Sequence, residues 1–152
     1  MERSLYDVVR ERAGRCCEYC RFPESVARLA FHLDHIVARQ HGGETTLDNL
    51  AFACCYCNRY KGPNVAGVDP ESHRIVELFD PRRHAWDQHF RWQGALLIGR
   101  TPIGRATIQL LRINRPIAVA TRRLLMGEGF FVIGATRIQD GTRDVVANAV
   151  NS

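Results

Sequence analysis

The sequence Cys17-Glu-Tyr-Cys20, paired further along the chain with Cys54-Cys-Tyr-Cys57, decides the fold. Each Cys-x-x-Cys motif can place two thiolates along one edge of a tetrahedron, and two motifs complete a four-thiolate site. Such a closed site predicts a structural Zn²⁺ bound by Cys17, Cys20, Cys54 and Cys57. Cys16 and Cys55 could shift the register, but only the first set gives both pairs the same spacing.

The cellular compartment follows from the same cysteines and from the start of the chain. All six cysteines lie in the two clusters, and Met1-Glu-Arg-Ser4 is not typical of a secretory signal. We therefore expect a reducing compartment, the cytoplasm, where clustered cysteines bind metal rather than form disulfides. No apolar run approaches the ~18 residues of a membrane span, so no membrane contact is expected.

Size and charge set further bounds. A chain of 152 residues with 45% hydrophobic and 24% charged residues is typical of one globular domain with appended elements. The region around the cysteines is too small to bury a large core, so a metal crosslink would hold it together. A formal net charge of +5 is compatible with a polyanionic partner such as nucleic acid.

Hydrophobic patterning predicts an α+β fold. Ser4 and Gly14 are typical of a helix start and a helix stop, and they bound a predicted helix over 4–13. The order strand, loop, strand, helix is then predicted for 28–36, 38–48, 50–53 and 54–62.

The rest of the chain is predicted as an extension of residues 1–62. Gly62 to Pro70 is rich in Gly, Pro, Asn and Asp, which predicts a linker over 63–72. The segment 73–128 is predicted to be mostly helical, with one hairpin, and 129–152 carries no assignment. The elements expected in 73–128 are a short helix over 81–89, a hairpin over 90–98, and helices over 101–113 and 116–126.

Four polar residues of the region between and after the cysteine motifs supply what phosphodiester hydrolysis needs. His35 is a candidate general base, because histidine can accept a proton near neutral pH. Asp34 and Asn58 offer oxygen ligands suited to Mg²⁺ or Mn²⁺. Taken singly, each has an ordinary structural explanation, such as a helix cap for Asn58 or a turn for Asn49.

Neighbouring residues on a regular strand face opposite sides, so Asp34 and His35 cannot both face one substrate. We therefore expect the strand to end or twist at this dipeptide and the following loop to be tied back. Asn49 is the candidate for that tie, through hydrogen bonds to backbone or to the histidine ring.

Taken together, the order Cys-x-x-Cys, Asp34-His-Ile, Gly42-Gly, Asn49-Leu and Cys-x-x-Cys-Asn58-x-x-Lys-Gly resembles the zinc-bound HNH endonuclease motif over residues 17–62. The resemblance implies a ββα-metal fold, His35 as general base, Asp34 and Asn58 as ligands of a catalytic Mg²⁺ or Mn²⁺, and Asn49 as the residue that positions the histidine. Asn58 would replace the last histidine of the motif, which makes an H-N-N variant. The loop Val37-Ala-Arg-Gln-His41 departs from the family pattern.

The resemblance implies hydrolysis of one strand of double-stranded DNA to 5′-phosphate and 3′-hydroxyl ends. Arg39, Arg59 and Lys61 flank the predicted site and are candidates either for phosphate contacts or for solvated surface charge. Six arginines of the second segment could widen a basic surface: Arg100, Arg105, Arg112, Arg115, Arg122 and Arg123.

Two other functions also fit parts of the sequence. A non-catalytic zinc module that binds DNA or protein would share the cysteines and the charge but does not need Asp34, His35, Asn49 and Asn58. A thiol-disulfide protein would use one Cys-x-x-Cys pair, usually in a thioredoxin-like βαβ pattern that this sequence lacks. The sequence indicates neither the oligomeric state nor the choice between DNA and RNA.

Overall fold

The computed structural model describes residues 1–131. This part of the chain has five helices and three two-stranded antiparallel sheets, which confirms the mixed α and β class. None of its helices is long and apolar enough to cross a bilayer. The helices are α1 (Leu5–Arg12), α2 (Cys55–Lys61), α3 (Trp86–His89), α4 (Pro102–Leu110) and α5 (Pro116–Gly127), and the paired strands are β1 (His32–His35) with β2 (Leu50–Ala53), β3 (Ala66–Val68) with β4 (Ile75–Glu77), and β5 (Phe90–Gln93) with β6 (Leu96–Gly99).

Helix α1 begins and ends where the sequence predicts. The Ser4 side chain accepts a hydrogen bond from the amide of Asp7, and Gly14 has a φ of +64° just beyond the last turn. At the end of the helix, Arg12 donates to the carbonyl oxygens of Leu47 and Leu50. These two bonds fix α1 to the start of β2.

Strand β1 is shorter than the predicted strand over 28–36. It pairs only from His32, opposite Ala53, to His35, opposite Leu50. Strand β1 is short because its partner strand β2 has only four residues. Residues 28–31 therefore have no neighbouring strand, and Leu29 is 50% exposed. Strand β2 and helix α2 lie where predicted.

Residues 63–72, predicted to be a linker, instead contain β3, which pairs with β4. Asp69 just beyond β3 is buried and accepts two hydrogen bonds from the guanidinium of Arg105 in α4. A sequence rich in turn residues therefore forms a short hairpin, because its flanking strands pair and a buried ion pair joins the hairpin to α4.

The hairpin β5–β6 and the helices α3, α4 and α5 form where they are predicted, but the start of α3 and the end of α4 differ from the predicted bounds. Helix α3 begins at Trp86 rather than residue 81, because residues 81–84 form a turn whose amides bond Asp80. Helix α4 ends at Leu110 rather than residue 113, and Arg112 has a left-handed φ of +49°.

One hydrophobic core joins the zinc region to the second segment. The Trp86 indole nitrogen donates to the carbonyl of Tyr19 at 2.9 Å, and Arg82 forms an ion pair with buried Glu18. Phe131, at the end of the described chain, is buried against Phe22 and Trp92. Residues 132–152 of the unassigned segment 129–152 lie outside the described residues.

Candidate active site and zinc cluster

The four cysteines predicted to bind zinc lie together. Their sulfur atoms are all within 4.8 Å of one another, and all four side chains are buried. The Sγ atoms of Cys20 and Cys54 are 3.8 Å apart, which is about the edge of a tetrahedron with Zn–S bonds of ~2.3 Å. The cluster thus fits a structural metal such as zinc.

The backbone supports each thiolate pair in the same way. The amide of Cys20 donates to Sγ of Cys17 at 3.5 Å, and the amide of Cys57 donates to Sγ of Cys54 at 3.4 Å. Cys16 and Cys55, the cysteines that left the register open, are half-buried and lie outside the cluster.

The first cysteine motif is bound directly to β2. Glu18 donates its amide to the carbonyl of Phe52 at 2.8 Å, and its carboxylate accepts from the amide of Phe52 at 2.7 Å. Because β2 also pairs with β1, the zinc cluster and the Asp34-His35 dipeptide belong to one rigid unit.

Asp34 is buried, with 4% of its surface exposed. Its Oδ2 accepts a hydrogen bond of 2.6 Å from the hydroxyl of Tyr19, and the same oxygen lies 3.1 Å from Nζ of Lys61. The carboxylate predicted to bind metal is therefore held by two side chains of its own chain, one from the first cysteine motif and one from α2.

Lys61 lies inside the domain, which corrects the expectation of a surface lysine. It is 1% exposed, and its ammonium bonds Asp34 and the carbonyl oxygens of His35 and Ile36, both at 3.1 Å. The sequence could not indicate this, because a buried lysine is rare unless a carboxylate of another element faces it. Here the last turn of α2 faces the end of β1.

Burial and neighbouring side chains set the protonation of Tyr19 and Asp34. Burial raises the pKa of Tyr19 well above its usual value, so the phenol keeps its proton and remains a donor. Burial also raises the pKa of Asp34, whereas Lys61 and Tyr19 act in the opposite direction. Both partners thus favour the carboxylate form of Asp34.

His35 is the last residue of β1, so the strand ends at the dipeptide where the predicted geometry required it. Its side chain is half-buried, and Nε2 lies 2.9 Å from the hydroxyl of Thr45 in the following loop. Beyond it, the amide of Ile36 donates to the carbonyl of Asn49. Asp34 faces the interior, whereas His35 faces the loop.

Asn49 ties that loop to the strand end. Its side-chain oxygen accepts from the amide of Val37, and its amide group donates to the carbonyls of Val37 and Glu44, all at 2.9 Å. A Cβ atom on Gly43 would lie 1.7 Å from the Val37 carbonyl oxygen, so only glycine fits there. The tie runs through backbone groups rather than through the histidine ring.

Asn58 lies one turn before Lys61 on α2, so the two side chains share a helix face. Lys61 contacts Asp34, which directs this face toward the end of β1. The Asn58 side chain is half-buried and bonds none of the residues that the structure describes. A carboxylate oxygen of Asp34 and the amide oxygen of Asn58 are the donor types that a hard divalent cation prefers.

The predicted phosphate contacts differ in exposure. Arg39 and Arg59 are exposed, as a phosphate contact requires. Two of the arginines expected to widen a basic surface are bound within the described chain instead: half-buried Arg105 pairs with Asp69, and buried Arg122 donates to the carbonyls of Ala95 and Ile113.

Comparison with known protein families agrees with this geometry. Residues 17–64 match the family described as HNH endonuclease. The match begins at the first cysteine of the zinc cluster and extends past α2, so it contains Asp34, His35, Asn49 and Asn58. The HNH match indicates nuclease activity and metal binding in general, and the four cysteines are typical of the zinc-binding type.

No match was found among curated proteins or among solved structures. The HNH match leaves α1 and the whole segment after residue 64 uncovered.

Sequence reasoning missed two side chains of the site. Tyr19 lies between two zinc ligands, and Thr45 lies in the loop after β1. A signal existed only for Tyr19, since an aromatic residue inside a cysteine motif has to pack somewhere close to the metal. Nothing in the sequence distinguishes Thr45 from Thr46 beside it.

Proposed function

We propose that the protein is a metal-dependent endonuclease that hydrolyses one strand of double-stranded DNA, leaving 5′-phosphate and 3′-hydroxyl ends. One observation carries the proposal: the Asp34-His35 dipeptide ends β1 against the face of α2 that bears Asn58, with Lys61 joining the two elements. The HNH match over the same residues supports it.

His35 would take the proton of the attacking water. In the tautomer in which Nε2–H donates to the Thr45 hydroxyl, the lone pair of Nδ1 is available to water. Asn49 would act as a positioning residue, because its three bonds to Val37 and Glu44 fix the loop that carries Thr45. Fixed placement of a base is worth several orders of magnitude in rate.

Asp34 and Asn58 would hold the catalytic Mg²⁺ or Mn²⁺. Their oxygens fit such a cation, which when bound supplies positive charge to the scissile phosphate and its leaving oxygen. Tyr19 and Lys61 fix the orientation of the Asp34 carboxylate, and both oppose the rise that burial causes in its pKa. Arg39 and Arg59, which are exposed, would contact neighbouring phosphates.

The alternative of a non-catalytic zinc module has one observation in its favour. Lys61 already neutralises Asp34, and both are almost completely buried, so the carboxylate has a partner without any metal. In that case the protein would bind nucleic acid or protein and leave phosphodiester bonds intact.

The deciding experiment is nicking of supercoiled plasmid by zinc-loaded protein with Mg²⁺ or Mn²⁺, beside His35→Ala. His32→Ala is the matched control, because His32 is an exposed histidine of the same strand. We expect the wild type and His32→Ala to produce nicked circles and His35→Ala to produce none. Equal cutting by wild type and His35→Ala would remove His35 as the base, and binding without cutting by any protein would favour the zinc module.

The chemistry of the ends has its own test. A DNA ligase reseals a nick only when a 5′-phosphate meets a 3′-hydroxyl, so the nicked circles should be fully resealed. Circles that resist ligation until treated with a phosphatase and a kinase would contradict the proposed products.

We also propose a cytoplasmic location, since the four thiols of the cluster require reducing conditions to remain zinc ligands. Cell fractionation tests this, and recovery of the protein in an oxidising compartment would contradict it.

A further inference from the structure

Two tyrosines of α2 and two arginines of the turn between α4 and α5 form a stacked layer, called here the Arg–Tyr face: Tyr56, Tyr60, Arg112 and Arg115. Cζ of Arg115 lies 4.1 Å from the ring centre of Tyr56, and Cζ of Arg112 lies 5.0 Å from that of Tyr60. Tyr56 is 40% exposed and Arg112 is exposed, so the layer is at the surface.

The backbone fixes both sides of this layer. Tyr56 and Tyr60 are four residues apart on α2 and therefore share one side of the helix. Arg112 occupies the left-handed region, which is uncommon for arginine, and its carbonyl accepts a hydrogen bond from the guanidinium of Arg115. Next to it, Asn114 binds both the amide and the carbonyl of Leu97 in β6, which anchors the turn.

The face carries positive charge that no carboxylate of the described part of the chain neutralises. Within residues 1–131, no ion pair includes Arg112, Arg115 or Arg59, whereas Arg10, Arg82 and Arg105 each pair with an acid. Arg59 lies three residues after Tyr56 and so lies on the same side of α2. A guanidinium stacked on a ring keeps its N–H donors at the edge of its plane, the geometry that binds phosphate in a bidentate manner.

We propose that the Arg–Tyr face, together with Arg59, binds the sugar-phosphate backbone of the nucleic acid on which the HNH domain acts. The inference rests on the proposed function and adds a second contact supplied by residues outside the HNH match. Asn58 is two residues from each tyrosine and therefore lies on another side of α2, with Arg59 between the two sides. A strand held at Asn58 would reach the face by passing Arg59 around a helix about 10–12 Å across, a distance of a few phosphates.

The test is binding of a labelled DNA duplex by His35→Ala protein, zinc-loaded and without Mg²⁺, at several salt concentrations. Two variants are compared on that background. Arg112→Gln with Arg115→Gln alters the face, and Arg74→Gln with Arg91→Gln removes the same charge from exposed arginines that stack on no tyrosine in the described chain.

We expect the first variant to lose affinity about tenfold for every sequence and to reduce the slope of log K against log salt by about 2, one for each lost phosphate contact. The control should lose less than half of its affinity. Equal losses in the two variants would show that net charge alone matters and would overturn the proposal. Stacking of the two arginines also joins the turn to α2. A second variant of the face, Arg112→Lys with Arg115→Lys, therefore removes the stacking guanidinium groups but keeps the charge, and it should retain most of the salt slope.

Three further outcomes separate this proposal from its rivals. Displacement of the duplex by an oligo-glutamate peptide at an equal charge concentration would assign the face to an acidic protein partner and overturn the proposal. Loss of binding in the variant, combined with a wild type that never cuts, would support the face while removing the nuclease proposal. Normal cutting by the wild type with unchanged binding by the variant would support the nuclease proposal and overturn the proposed role of the face.

Discussion

The hydroxyl of Tyr19 donates a 2.6 Å hydrogen bond to Oδ2 of Asp34, and both side chains are buried. Tyr19 lies between two cysteines of the zinc cluster, and Asp34 is the predicted ligand of the catalytic metal. The cysteine cluster and the proposed active site are therefore separated by one side chain, so that a change at the cluster reaches Asp34 directly.

Tyr19→Phe tests this link, because it keeps the ring and removes only the hydroxyl. We expect a loss of about 1–2 kcal/mol in the free energy of unfolding and nicking that is at least tenfold slower, since Asp34 loses a partner that orients it. The measurements are urea unfolding and the Mg²⁺ dependence of nicking. Tyr6→Phe is the control, because the Tyr6 hydroxyl makes only a 3.5 Å bond to Phe31. A Tyr19→Phe protein with the Mg²⁺ dependence of the wild type would contradict the role.

Lys61 and Asp34 should be strongly coupled. Lys61→Met leaves a buried carboxylate without its cation, so we expect a loss of about 3–5 kcal/mol in the free energy of unfolding. Adding Asp34→Asn removes the uncompensated charge and should restore part of that loss. The measurement is a double-mutant cycle by urea unfolding. If the losses of the two single variants simply add, the two side chains do not act as a pair.

Metal content tests the cluster. The protein should contain one Zn²⁺ per chain, and Cys54→Ser should bind none and lose its far-ultraviolet circular dichroism, because a structural zinc contributes ~10 kcal/mol or more to folding. Cys55→Ser should keep both the metal and the fold, since Cys55 lies outside the cluster. Loss of zinc from Cys55→Ser would move the register of the site by one residue.

Gly43 should tolerate no side chain. In Gly43→Ala the new Cβ would meet the Val37 carbonyl oxygen and the side-chain nitrogen of Asn49, so the loop must move and the Asn49 bonds must break. We expect nicking to fall at least tenfold, with a loss of about 1–3 kcal/mol in stability. Gly127→Ala in α5 is the control, because its Cβ would meet nothing within 4 Å. Full activity of Gly43→Ala would show that the loop adapts.

Much of the structure from α1 to α2 could be predicted from local patterns. The equal spacing of the two cysteine pairs predicted the zinc cluster, and Ser4 and Gly14 predicted the ends of α1. Such signals act within one turn or motif, so the sequence displays them directly. The tie made by Asn49 was also expected, because the strand end at His35 required one.

Other features depended on contacts between distant segments. The predicted strand over 28–36 was too long because its length is limited by β2, and the predicted linker over 63–72 contains β3 because β4 is there to pair with it. Composition favours a strand over 28–36 and a turn over 63–72, and in both places only the partner strand decides how far pairing extends.

The sequence by itself determined which four cysteines cluster, the motif that the HNH match covers and the order of the elements from α1 to α2, since each rests on residue type and spacing along the chain. Only the tertiary structure decided that Lys61 is buried against Asp34, that Tyr19 joins the zinc cluster to that carboxylate, and that Arg112 and Arg115 stack on α2. The physical reason is that the environment of a charged side chain depends on which groups of other elements surround it. Desolvation and pairing are fixed by packing, and packing is not local in sequence.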